Sequence, residues 1–334
     1  MPDISILLII IILVALVFDY TNGVHDSANA IATVVSTNVL SPKLAVLMAA
    51  SLDLVGAFLG THVAATMGKG IVNPELIAGN QMLVLAALLG AIFWNLLTWR
   101  LGLPSSSSHG LIGGLIGATI AYAGWSAPSY SNILSKVIFP LFLSPLAGFI
   151  GGYLLMLALA WITCNLKPRK MNKMFRRLQV FSAAFMAMSH GSNDAQKTMG
   201  IITLALFLFH AIPTFEVPVW AKLACALAIA SGTATGGWKI IKTMGHRIFK
   251  IKPVHGFAAE TSSAMVIMTS SLLGAPISTT HVISSSILGV GSSKRFSAVK
   301  WGVAGNMVTA WLLTIPASAL VGAICFALLN LINF

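Results

Sequence analysis

The sequence predicts an all-α polytopic membrane protein of two inverted-topology repeats, with broken helices or helical hairpins and about 10–12 membrane segments. Three observations predict it: an apolar composition, motifs that recur in order, and basic residues confined to a few loops. Of 334 residues, 57% are hydrophobic and 8% charged, and the mean hydropathy is +0.89. Soluble domains carry about 25% charged residues. Apolar runs recur at 4–18, 43–65, 81–99, 133–163, 200–212 with flanks, 219–235 and 301–332. Their lengths approach the roughly 20 residues that span a bilayer core, whereas a β-barrel would show short alternating segments. Met1 opens a long apolar stretch with Asp3 and no basic n-region, which argues against a cleaved signal peptide. Cys164, Cys225 and Cys325 stand singly, without metal-ligand spacing.

The net charge of +12 does not point to nucleic acid, because of where the bases lie. Six fall in "LKPRKMNKMFRR", five more in "KIIKTMGHRIFKIK", and Lys294, Arg295 and Lys300 form a third group. The positive-inside rule places such loops in the cytoplasm. The stretch around 206–218 holds Glu216 and no Lys or Arg, so it faces outside, as does an N-terminus carrying Asp3.

Three landmarks recur in the same order. "GVHDSANA" aligns with "GSNDAQKT", "TMGKGIV" with "TMGHRIF", and "LGLPSSSSHGLIGGLIG" with "LGAPISTTHVISSSILG", at offsets of 168, 177 and 172 residues. The chain therefore divides into a first repeat at 1–163, a basic cytoplasmic linker at 164–177 and a second repeat at 178–334. The segment after the first "TMG" has few bases and its partner is basic, so equivalent loops face opposite sides. Inverted repeats are the architecture of secondary transporters, whose sites lie near the midplane where discontinuous helices meet.

Pro104 and Pro276 each break a helix ahead of a hydroxyl run, Ser105, Ser106, Ser107 and Ser108 in one repeat, Ser278, Thr279 and Thr280 in the other. A non-helical turn at membrane depth must be buried in protein or line a cavity. The helix that restarts after it offers free N–H donors and a positive dipole end, an anion site. Two such N-termini, one per repeat, suit a tetrahedral oxyanion. The plainer reading is that Ser and Thr bond back to i−4 carbonyls, which the duplication makes less attractive.

Asp26 and Asp194 occupy equivalent positions inside apolar stretches, where ionisable residues are costly and by default functional. Carboxylate and carboxamide oxygens suit Na⁺, and a carboxylate alone carries H⁺. The two aspartates are thus candidate Na⁺ ligands and are expected to sit close together. Asn29 and Asn193 add amides, and Gln196 and Lys197 give the second cluster a cationic donor. A self-neutralising pair such as Asp26 with Lys197 is the plainer alternative. Asp53 and Glu260 are further intramembrane acids, and His25, His109, His190 and His281 are expected to cap or bridge polar backbone. No Walker A sequence is present, which argues against ATP-driven pumping.

"FDYTNGVHDSANAIATVVSTNVLSPKLAVLMAA", "NLLTWRLGLPSSSSHGLIG", "MSHGSNDAQKTMGIITLAL" and "GAPISTTHVISSSILGVG" closely resemble the PiT family of inorganic phosphate transporters, especially its bacterial low-affinity members, across essentially the whole chain. The resemblance implies a non-enzymatic secondary symporter of inorganic phosphate in the cell inner membrane, driven by Na⁺ or H⁺, with no cofactor. It assigns substrate binding to Asn29, Asn193, Gln196, Lys197 and the two hydroxyl runs, and cation coupling to Asp26, Asp53, Asp194 and Glu260. Its partners would be inorganic phosphate, the lipid bilayer and a second copy in a homodimer. The signature is usually Gly-x-Asn-Asp in both repeats, and here the first copy reads Val24-His25-Asp26. The alternative within the same family is a sulfate or metal-phosphate permease. A channel fits the inverted repeat less well.

Overall fold

The computed structural model describes residues 6–69 and 80–331. The loop after Lys69, read above as external, and the charge at Asp3 lie outside the described residues. The regular structure is helical. The first half of the chain contributes α1 (Ile6–Ser36), α2 (Pro42–Gly56), α3 (His62–Lys69), α4 (Met82–Leu101), α5 (Ser107–Ala123) and α6 (Tyr130–Ile162). The second contributes α7 (Pro168–Leu208), α8 (Val219–Thr235), α9 (Trp238–Arg247), α10 (Pro253–Leu272), α11 (Thr279–Lys294) and α12 (Trp301–Leu331).

Local chemistry sets these boundaries in the same way in both repeats. Gly102 ends α4 and Gly274 follows α10, at φ of 68° and 70°, a left-handed geometry that glycine adopts without a Cβ penalty. A proline follows two residues later, and then Ser106 or Ser278 caps the next helix. Each of these serines accepts its own helix's N3 amide, from His109 at 3.2 Å and from His281 at 3.3 Å. α4–α5 and α10–α11 are therefore hairpins with buried tips. Each last helix carries an internal proline, Pro145 in α6 and Pro316 in α12. A turn of π-helix at Leu134–Ile138 precedes Pro140, whose missing N–H perturbs the ladder there.

Among the described residues α1, α4, α6 and α12 are each long and apolar enough to cross a membrane, as is the pair α8 and α9, bent by 59°, if taken as one span. Two of the apolar runs, 43–65 and 200–212, are not among these spans. The first is broken, since α2 has only 15 residues, and the second is the end of α7, whose preceding turns are polar. α1 runs unbroken through "GVHDSANA", so the polar cluster does not interrupt the helix. Residues 168–177 of the linker are the first turns of the 41-residue α7.

The packing partners exchange between repeats. α12 lies on the α4–α5 hairpin, and α6 lies on the α10–α11 hairpin. α1 packs on α8 and α9, and α7 packs on α2 and α3. α1 meets α7, and α2 meets α8. Glycines allow the closest approaches: a Cβ on Gly117 would strike the Ala319 carbonyl, and one on Gly289 the Phe149 carbonyl. Two apolar cores result, one around Ile11, Leu88, Leu111 and Ile202, the other around Ile31, Met186, Ile267 and Ile283. Between them lies a polar belt.

Candidate functional site at the meeting of the hairpin tips

The belt is centred where α1 and α7 cross. Asp26 is 2% exposed, Asp194 and Lys197 1% each. Charges this deep are tolerated only when paired and hydrogen-bonded. One oxygen from each aspartate and one nitrogen of His190 lie within 4.8 Å of one another. The sequence expectation that the two aspartates sit together matches this placement. The alternative pairing of Asp26 with Lys197 does not: Lys197 pairs with Asp194, three residues before it on the same helix face.

The tips supply the remaining partners, some within one half of the chain and some across the two. Thr280 donates to Asp26 Oδ1 at 3.1 Å, and Ser107 lies 3.4 Å from Oδ2 of the same residue. Thr279 donates to Asp194 Oδ2 at 3.0 Å. Asn29 Nδ2 reaches both Thr280 and Thr279, at 2.9 and 3.2 Å. Lys197 Nζ donates to Ser108 Oγ of the other tip and to the Ile277 carbonyl at 2.9 Å. One ammonium thus ties both tips to one aspartate.

A ring of supporting contacts holds the aspartates. His25 Nδ1 lies 2.6 Å from Asp26 Oδ1, and its Nε2 faces Thr98 and Ser105. In the other repeat Asn193 reaches Ser271 at 2.9 Å, so His25 and Asn193 each tether α1 or α7 to its own hairpin. The departure of His25 from the family signature keeps that tether. His190 Nδ1 bonds Asp53 Oδ1 at 2.9 Å while its Nε2 lies 3.0 Å from Asp194. Asp53 also accepts from Thr233 at 2.6 Å. Asp53 is therefore one step behind the centre. Behind the tips the rings of His109 and His281 lie 5.0 Å apart, and His281 stacks on Trp311.

Two other residues lie elsewhere. Gln196 accepts the Val63 N–H at 2.9 Å and donates to the Ser192 carbonyl, so its amide secures the start of α3. Glu260 sits in a separate buried pocket, accepting from Thr33, Ser182 and, at 3.1 Å, Gln179. Thr33 is seven residues beyond Asp26 on α1, which sets this pocket roughly 10 Å along the helix from the centre. Ser106 and Ser278 are committed to capping. Asp19 was not singled out in the sequence, although its place in "FDYTNG" inside an apolar run was the available signal. It is fully buried and accepts from Thr198 at 2.8 Å.

Short hairpins meeting inside a multi-pass helical protein, around buried charges contributed by both repeats, define an integral membrane transporter. A sequence profile of the Phosphate transporter family matches residues 22–322. A "Probable low-affinity inorganic phosphate transporter" of Bacillus subtilis (strain 168) is 48% identical over 333 residues, 99% of this chain and 100% of that protein. Its namesake in Rhizobium meliloti (strain 1021) is 47% identical over 328 residues, 98% of this chain and 97% of that one. A solved structure titled "The sodium-dependent phosphate transporter" superposes with a TM-score of 0.84 at 26% identity, covering 98% of this chain and 100% of the other. The chain belongs to the Phosphate transporter family, a family of transporters and not of enzymes.

Proposed function

We propose that the protein imports inorganic phosphate across the cytoplasmic membrane as a cation-coupled symporter working by alternating access. The observation that carries this reading is the crossing of partners at the centre: hydroxyls of both hairpin tips donate to Asp26 and Asp194, and Lys197 bridges the tips. The exchange of packing partners between the repeats supports an inverted repeat with its divide at the linker 164–177.

The same side chains suggest how coupling works. Two aspartates and one lysine leave a net negative charge, which repels an incoming anion strongly in a dry site. A cation on Asp26 and Asp194 removes that repulsion. It also competes with Ser107, Thr279 and Thr280 for the carboxylate oxygens and frees those hydroxyls for phosphate. Anion and cation then raise each other's affinity by the same factor. Na⁺ is the favoured cation, since the structural neighbour is named for sodium dependence. Lys197, Asn29 and the tip hydroxyls are the proposed phosphate donors, with Ser105, Asn193, Ser106, Ser278 and Gln196 holding the tips and helices in place. Asp53 and Glu260 take part in coupling from outside the centre. Phosphate is favoured over sulfate because a protonated phosphate oxygen can donate to a carboxylate and sulfate cannot.

Uptake of radiolabelled phosphate into proteoliposomes tests the proposal, with Na⁺ and H⁺ gradients imposed separately and sulfate as competitor. Concentrative uptake that needs a Na⁺ gradient and ignores sulfate is expected. Uptake that only equilibrates phosphate, or that is unaffected by either gradient, defeats it.

A further inference from the structure

We propose that the cytoplasmic ends of the second hairpin form a binding site for an anionic phospholipid of the inner leaflet. A cavity of 430 Å³ lies between the end of α6, the start of α7, the start of α10 and the end of α11. One wall is apolar, from Met156, Leu157, Leu166 and Met171, and the rim carries Lys252 and Lys294. A second cavity of 370 Å³ shares Met171 and Lys252 and extends the groove along α7. An acyl-lined wall under a basic rim is the chemistry of a lipid headgroup site between membrane helices.

Among the described residues the charge has no acidic counterpart. The chain has eight acidic residues, and none lies in 164–177, 239–252 or 294–300. Among the described residues Lys197 is the one lysine or arginine in an ion pair, so Lys252 and Lys294 have no carboxylate partner there. Both are exposed. They are therefore open to an anion from outside the chain. An anion that also covers Met156, Leu157 and Leu166 needs hydrocarbon, which free phosphate lacks. Lys252 precedes α10 and Lys294 ends α11, so one headgroup would hold the open ends of the two arms whose tip carries Thr279 and Thr280.

The inference rests on the inside placement of the basic loops but not on the transported ion, and its test reads lipid binding without uptake. Thermal unfolding of the purified full-length protein in detergent is followed with phosphatidylglycerol, with phosphatidylcholine, or with inorganic phosphate. Native mass spectrometry counts retained lipid in parallel. Phosphatidylglycerol should raise the unfolding temperature and stay bound, and phosphatidylcholine should do neither. In Lys252→Ala/Lys294→Ala the phosphatidylglycerol affinity should fall about thirtyfold, at about 1 kcal/mol for each lysine. Lys252→Arg/Lys294→Arg should retain it, which separates lost charge from lost folding. Equal effects of the two lipids, displacement of phosphatidylglycerol by inorganic phosphate, or an undiminished response in the alanine variant would each overturn the site.

Discussion

At the scale of single residues, the tip hydroxyls and the aspartates make distinguishable predictions. Thr279 donates to Asp194 and receives a bond from Asn29, and Ser107 faces Asp26. Thr279→Ala and Ser107→Ala should each weaken phosphate affinity, since a hydrogen bond to a charged group is worth about 1.5–3 kcal/mol, or roughly ten- to a hundredfold. Equilibrium binding of labelled phosphate to the purified variants checks this, and unchanged affinity in both removes the anion from the tips. Asp26→Asn and Asp194→Asn should do something different. They remove the charge that calls for a cation, so phosphate binding should persist while losing its response to Na⁺. A variant that folds and still responds to Na⁺ as the parent does would leave that aspartate a purely structural part. Lys197→Met should be more damaging than either, because it strands Asp194 without its counter-charge in a site that is 1% exposed.

Among the elements, the hairpins depend on glycine at their contacts with the last helices. Gly117 of α5 faces the Ala319 backbone of α12, and Gly289 of α11 faces the Phe149 backbone of α6. Gly117→Val and Gly289→Val should each destabilise by about 1–3 kcal/mol through overpacking and should also displace the tip behind them. The unfolding temperature and the phosphate affinity are expected to fall together, and a loss of stability with full affinity would show that the tips are held independently. Much of this architecture was legible. The proline ahead of a hydroxyl run announces the break and the restarting helix in both repeats, and the recurrence of "HD" and "ND" marks the centre. Less legible were roles decided by partners far away in sequence. Nothing local distinguishes Gln196, spent on the backbone of Val63, from Lys197 beside it, which joins both tips. Likewise Glu260 reads as one more intramembrane acid until Thr33, Gln179 and Ser182 close around it, away from the tips. The polar cluster in α1 looks like an interruption because hydropathy is scored along the chain. Helix α1 tolerates it because α7 and the tips satisfy those groups from the side.

For the whole molecule, the proposed inverted arrangement predicts which loops each side of the membrane can reach. A cysteine placed at Lys170 should resist a membrane-impermeant thiol reagent in intact cells, and one placed at Pro213 in the acidic loop before α8 should react. The native Cys164 is exposed and must first be replaced in this test. External labelling at Lys170 would reverse the assignment of inside and outside and sink the inverted-repeat scheme.

The exchange of partners between repeats also fixes an order of events during synthesis. The hairpin arm α5 is complete at Ala123, but α12, the helix it rests on, begins at Trp301. At the usual 5–20 residues per second, the ribosome needs roughly ten to forty seconds to cover that gap. Throughout that interval the glycine-lined face of α5 is in the membrane without its neighbour. Its companion α11, by contrast, emerges when α6 is already in place. Two arms that are equivalent in the finished protein are therefore unequal while it is being made. The early one is the arm that needs sheltering by lipid or by the insertion machinery until the last helix arrives.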